Sequence, residues 1–191
     1  MAAPEQQPSK PVIPDVLVPL LQRTEADPRP IVVMTCGIAG AGKSTLAKAI
    51  AASPHNFTRL SIDNILFSRH GLYGTDYPPS LLATYQDEAD SIFHSETKSQ
   101  LLEKINLVLD RAFYAKADRD EYRSLAEQAG ARVVLVFLEA SRDVLWRRIQ
   151  QRKAAGRDAD SALEIPEELL DSYLAGFERP VGEGEVVLQV A

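Results

Sequence analysis

The strongest chemical signal in the chain is the stretch Gly37-Ile38-Ala39-Gly40-Ala41-Gly42-Lys43-Ser44-Thr45, which satisfies the pattern G-x-x-x-x-G-K-[ST] in full. Glycines let the backbone curl so that successive N–H groups point inward at an anion. Lys43 sets a point charge near the β- and γ-phosphates of a bound nucleotide, and Ser44 offers a hydroxyl to Mg²⁺. A helix starting at Lys43 aims its positive end at the same anion. The backbone from Gly37 to Thr45, including Ala39 and Ala41, is therefore the expected nucleotide cradle, and ATP with Mg²⁺ are the expected cofactors.

A phosphate-transfer site also needs carboxylates, one to order Mg²⁺ and one to orient or deprotonate an attacking hydroxyl. Two aspartates end apolar runs, where strands of a doubly wound sheet deliver such groups. Asp110 closes Leu107-Val108-Leu109-Asp110 and is the expected metal carboxylate beside Ser44; Asp63 closes Leu60-Ser61-Ile62-Asp63 and is the expected partner of a substrate hydroxyl. The alternative for each is a turn or helix-cap role.

Transferring phosphoryl groups spread negative charge, which arginine forks neutralise. Arg142, Arg147, Arg148, Arg152, Lys153 and Arg157 form a basic island in an acidic chain. Arg148 and Arg152, four apart, share one helix face and are the expected phosphate contacts; a solvated basic face is the alternative. Arg119 and Arg123 form a similar pair for which salt bridges explain the pattern equally well. The loop from Ser68 to Pro79, with His70, is a candidate acceptor wall, and the turn from Phe177 to Glu185 a candidate edge of the base site. Cys36 ends a buried strand and has no expected reactive role.

These residues need a scaffold. Ile31 to Cys36 reads as a buried strand. Further strands are expected at Thr58–Ile62, Ile105–Leu109, Arg132–Leu138 and Glu185–Val190. Helices are expected at Asp15–Thr24, Lys43–Ala52, Ser80 to about Lys104, Ser141–Ala154 and Pro166–Phe177. A further helix, Asp118–Gln128, has a capping box from Asp118 and Glu121. Strand alternating with helix implies an α/β fold, a mostly parallel sheet covered on both faces. Residues 1–14 are expected to be a disordered tail and 15–191 a single domain.

Composition narrows the classes. The chain has 191 residues, 45% apolar and 25% charged, enough for one α/β core. It lacks an apolar run long enough to span a membrane, and its first residues lack the apolar core of a signal peptide. A single cysteine excludes an intrachain disulfide, so the cytoplasm is the expected location. The net charge of −6 works against long nucleic-acid ligands, while leaving a short strand or a nucleotide open.

The phosphate loop, Ser61-x-Asp63, the strand-ending Asp110 and the R-x-x-x-R of Arg148 and Arg152 together resemble the AAA_33-type P-loop kinases. That group includes the polynucleotide 5′-kinase domain, chloramphenicol phosphotransferase and zeta-toxin-like kinases. The likeness covers roughly Ile31 to Arg152. It implies a P-loop NTPase fold with a five-stranded sheet of order 2-3-1-4-5, ATP as donor and a helical lid. By this resemblance Asp63 matches the catalytic base, and Arg148 with Arg152 match the lid arginines. Two positions depart from the pattern: Leu66 stands where the polynucleotide kinases carry an arginine, and Ala112 where an Asn or Thr is common. The expected function is an ATP-dependent kinase acting on a hydroxyl of a small-molecule or nucleotide-like acceptor. The alternative is a P-loop ATPase or a regulatory module coupling ATP state to a protein partner. No N-K-x-D motif points to guanine.

Overall fold

The computed structural model describes residues 12–156 and 158–191. The expected N-terminal tail lies outside the described residues as far as Pro11, and so does Arg157 of the basic island. Five strands, β1 (Ile31–Cys36), β2 (Phe57–Ser61), β3 (Asn106–Asp110), β4 (Arg132–Ala140) and β5 (Val186–Val190), form one sheet of order β2-β3-β1-β4-β5. Every pairing is parallel. The helices are α1 (Lys43–Ala51), α2 (Ile62–His70), α3 (Leu82–Leu102), α4 (Lys116–Gln128), α5 (Arg142–Ala155) and α6 (Glu167–Gly176). The expected fold class and strand order are both found.

All six residues of β1 are buried, as a central strand covered on two faces requires. Its side chains alternate between two cores. Ile31 and Val33 join Val108, Val134 and Val136 under Leu46 and Ile50 of α1, Leu145 and Ile149 of α5 and Leu170 of α6. Val32, Met34 and Cys36 join Leu107, Leu109, Leu135 and Phe137 against Phe93 and Leu101 of α3 and Tyr122 and Ala126 of α4. At the C-terminal rim, register places Thr35 beside Asp110 and Asp110 beside Ser61. The chain leaves β1 for one side of the sheet and later returns to the other, so the loop after β1 sits at the reversal where α/β sheets bind ligands.

Several boundaries differ from expectation. The Asp15–Thr24 helix shrinks to a 3-10 turn at Val18–Leu21, because Pro19 cannot donate and the chain must turn to bury Leu17 and Leu21. The Asp118 capping box does not form. Helix α4 starts earlier, with Ala115 before it and no side-chain cap from its own neighbours. The Lys116 backbone N–H instead donates to the Glu178 carboxylate, a cap supplied from 62 residues away. Helix α2 was not expected. Ser61 caps it by accepting from the Asn64 backbone N–H at 3.3 Å, which puts Asp63 in its first turn. Among the described residues no helix is long and apolar enough to cross a membrane.

Candidate active site

The phosphate loop runs from β1 into α1 and is anchored at its start, where the Gly37 N–H donates to the Ala112 carbonyl at 3.1 Å. Two glycines are dictated by space as well as by φ. Gly37 has φ +141° and a Cβ there would meet the Leu138 carbonyl at 2.7 Å; Gly40 has φ +87° and a Cβ would meet the Leu145 carbonyl at 2.9 Å. Gly42 precedes α1, so the helix opens on Lys43, Ser44 and Thr45 with its first N–H groups facing the loop. This cradle fits a polyphosphate: curled glycine backbone, a helix N-terminus and one lysine.

Lys43 is half-buried and its Nζ donates to the Ile38 carbonyl of its own loop at 3.1 Å. Burial pulls its ammonium below the usual lysine range, while the charges of Asp110 and Asp63 hold it up and that of Arg152 opposes it. Asp63, at the start of α2, opens on the same cleft. Desolvation raises its carboxyl to about 6; Lys43 and Arg152 pull it down, and Asp110 and Asp160 push it further up. The residue itself is exposed and lies in the first turn of α2, so solvent and the helix N-terminus both favour the ionised form and work against that upward push. Four residues singled out in the sequence, Lys43, Asp63, Asp110 and Arg152, thus lie within one electrostatic neighbourhood.

Arg148, one turn before Arg152, lines the same cavity beside the loop. Its guanidinium lies near Gly42 and donates to the Ala191 carbonyl at 2.8 Å. A cavity of about 590 Å³ opens here beside the loop, bounded by Gly42, Thr45, Arg148, Arg152, Gln189 and Val190 among others. Its outer wall is the end of β5, not the Phe177–Glu185 turn expected to edge the base site. That turn is tied elsewhere. Glu183 takes two 2.8 Å bonds from the buried Arg119 and its carbonyl accepts from Arg123, which settles the Arg119–Arg123 pair as structural.

Asp110 is buried, and its Oδ2 accepts from Arg59 Nε at 2.9 Å and Nη2 at 2.5 Å. Arg59 Nη2 also donates to Asp160 Oδ1 at 2.5 Å, and Asp160 Oδ2 pairs with Lys48. Neither Arg59, Lys48 nor Asp160 stood out in the sequence; the only available signal was a charged residue, Arg59, inside a short strand. Among the described residues no group of three or more His, Cys, Asp or Glu is arranged to hold a metal ion. Mg²⁺ is ordinarily held by one or two protein oxygens plus phosphates and water. Ser44 and Asp110 are oxygen donors of that kind, with Arg59 engaging one oxygen of the Asp110 carboxylate.

In the candidate acceptor wall, His70 stacks on Tyr85 with ring centroids 3.5 Å apart, and its Nε2 lies 3.0 Å from Glu88. Cys36 Sγ donates to the Phe113 carbonyl at 3.4 Å, and burial pushes the thiol up to about 11.

Comparison with solved structures finds the same fold repeatedly. A gluconokinase from Sinorhizobium meliloti 1021 is similar at 24% identity and TM-score 0.58, over 86% of this chain and 83% of that one. A chain of the Pnkp1/Rnl/Hen1 RNA repair complex gives 16% identity and TM-score 0.63, over 78% of this chain and 44% of that one. The PezAT toxin–antitoxin system of Streptococcus pneumoniae gives 16% identity and TM-score 0.57, over 88% and 69%. Among curated proteins, none matches the sequence at a significant level. Residues 32–180, most of the chain including the phosphate loop, Asp63, Asp110 and Arg152, match the AAA_33 family, described as an AAA domain. A P-loop sheet of order 2-3-1-4-5 with this match over most of its length means that the chain belongs to the AAA_33 family.

Proposed function

We propose that the protein is a Mg-ATP-dependent kinase that transfers the γ-phosphoryl group to a hydroxyl of a small-molecule or nucleotide-like acceptor. One observation carries the reading. Asp63 supplies a carboxylate beyond what nucleotide binding needs, in the first turn of α2 two residues past Ser61, which pairs in register with Asp110; its carboxyl is pushed up to about 6, within electrostatic reach of Lys43 and Arg152. A group with that affinity for protons can take one from a hydroxyl near neutral pH. In the transfer, the acceptor O–H bond breaks toward Asp63, a new O–P bond forms, and the bond to the ADP oxygen breaks with its electrons staying on ADP. Lys43 exchanges its bond to the Ile38 carbonyl for phosphate oxygens, and Arg152 meets the charge on the group in flight. Ser44 and Asp110 would hold Mg²⁺, which when bound draws off charge from the β- and γ-phosphates. Arg148 and Thr45 line the neighbouring cavity, which suits the ribose and base of ATP.

The acceptor is taken to be either a small molecule or a nucleic-acid end; the similar structures, a gluconokinase and a chain of an RNA repair complex, share the fold alone. The chain itself favours the former, since Leu66 is packed in the protein and the net charge is −6. The test is ADP release across nucleosides, 5′-hydroxyl oligonucleotides, sugars and phenolic antibiotics. Low basal hydrolysis with strong stimulation by one acceptor class is expected. Steady hydrolysis that ignores every acceptor and is unchanged in Asp63→Asn would favour the regulatory nucleotide-binding module instead.

A further inference from the structure

We infer that Lys48 and Arg59 form an anion subsite beside the phosphate loop, and that the acceptor carries a carboxylate or phosphate group that replaces the protein's own Asp160 there. The inference deepens the kinase reading and rests on it for the word acceptor.

The geometry is that of a two-point clamp. One Asp160 oxygen accepts from Arg59 at 2.5 Å, and the other pairs with Lys48. The two cations come from different rigid elements, Lys48 from α1 and Arg59 from β2. Arg59 is oriented without help from Asp160, because Nε and Nη2 both donate to the buried Asp110. The clamp is therefore pre-organised by sheet and helix, and a carboxylate is the group that fits it.

Asp160 itself arrives on the 158–166 connection between α5 and α6, which is neither helix nor strand there. Its turn is held by its own hydrogen bonds as well as by packing and by the Lys153–Glu164 pair. The Ser161 hydroxyl donates to the Asp158 carboxylate at 2.7 Å, and the Asp160 N–H donates to the same carboxylate at 3.1 Å. Apart from a 3.3 Å bond from Arg152 to the Asp160 carbonyl, the ties of Asp160 to the site are the two ion pairs. Ser161 and Ala162 are buried and hold the backbone of the turn in place, so it is rotation of the Asp160 side chain that breaks the two ion pairs, and what it leaves behind is a pair of cations shaped for an anion.

Position ties this subsite to the acceptor. Arg59 holds Asp110, which pairs in register with Ser61, and Asp63 follows Ser61 by two residues in the first turn of α2. A ligand whose hydroxyl meets Asp63 therefore has this cation pair on the same rim of the sheet for an anionic group. Substituting that group for Asp160 preserves the local charge balance among Lys43, Lys48, Arg59, Arg152, Asp63 and Asp110.

The anion could come from the acceptor or from the γ-phosphate of ATP, and one set of titrations separates them. Inorganic sulfate serves as the probe, by calorimetry with the phosphate loop saturated by Mg-ADP. Asp160→Asn keeps the shape of the side chain and removes its charge; thermal melting verifies that it is folded. It is expected to bind sulfate about tenfold more tightly than wild type, the difference one charge-assisted hydrogen bond makes. Adding Lys48→Ala to Asp160→Asn should abolish the gain. No gain in Asp160→Asn, or a gain that survives Lys48→Ala, overturns the subsite. A gain for a non-hydrolysable ATP analogue without one for sulfate assigns the pair to the nucleotide and overturns the acceptor assignment. Transfer to neutral acceptors at a rate indifferent to Lys48→Ala also overturns it while leaving the kinase reading intact. Sulfate binding as expected, with no transfer to any hydroxyl, keeps the anion site and removes the kinase.

Discussion

Asp63 carries two roles that pull in opposite directions. Burial pushes its carboxyl up to about 6, against an ordinary aspartate value of 3.8. Between those values the folded form binds more protons than the unfolded form, so this group's contribution to stability falls as pH rises through the window and stays low above it. Removing the charge with Asp63→Asn should therefore leave the melting temperature at pH 7.5 unchanged or higher, since Ser61 and not Asp63 caps α2. Transfer should drop by about two to four orders of magnitude, with ATP affinity held within a few fold. In the wild type, kcat/KM should climb through about pH 6 and level off above it. A flat profile, or a destabilised but active Asp63→Asn protein, would remove the base. Lys43→Ala should likewise abolish transfer without unfolding the chain, because its one bond is to a loop carbonyl; unaltered turnover would make the motif decorative. Local spacing made these residues legible. The G-x-x-x-x-G-K-S run is contiguous, and Asp63 sits just past an apolar strand. Arg59 and Asp160 escaped because their bonds to Asp110 and Arg59 span 51 and 101 residues, and each alone looks like an ordinary charged residue.

Helix α5 shows how a shared face can still serve two places. Arg148 and Arg152 are one turn apart, as the sequence implied, and both line the cavity beside the phosphate loop, but Arg148 bonds to the end of β5 while Arg152 bonds to the Asp160 carbonyl and its charge reaches Lys43 and Asp63. Their substitutions should then separate. Arg148→Ala is expected to weaken nucleotide binding several fold at little cost to turnover, and Arg152→Ala to lower kcat by at least about tenfold at near-normal nucleotide affinity. Equal effects on both parameters would collapse the distinction. The element boundaries tell the same story as the residues. Helices α1 and α5 fell close to expectation because Gly42 and Ser141 mark their starts in place. Helix α4 did not, because its N-terminal donor is satisfied by Glu178, which no window around Lys116 contains.

Across the whole molecule, the sheet order followed from resemblance, while alternation of strand and helix gave only its parallel character. What closes the far edge is a buried ion pair that neither predicted. Arg119 on α4 is fully buried against Glu183, in the turn that leads into β5. Arg119→Ala should cost about 3–5 kcal/mol in urea denaturation, since it leaves a carboxylate without its partner; a cost below about 1 kcal/mol would show that water reaches Glu183. Excess chelator followed by desalting should silence transfer and Mg²⁺ should restore it, whereas persisting activity would strip Ser44 and Asp110 of their metal role. Cys36, meanwhile, makes the chain convenient to watch. Its thiol is enclosed, bonded to Phe113 and held near 11, so it stays protonated and unreactive toward maleimide at neutral pH. A cysteine introduced at Ala159 and another on the exposed face of α2 would then be the sites a spin label or fluorophore takes, without removing the native thiol first. The distance between those labels could be followed in real time as nucleotide and acceptor are added.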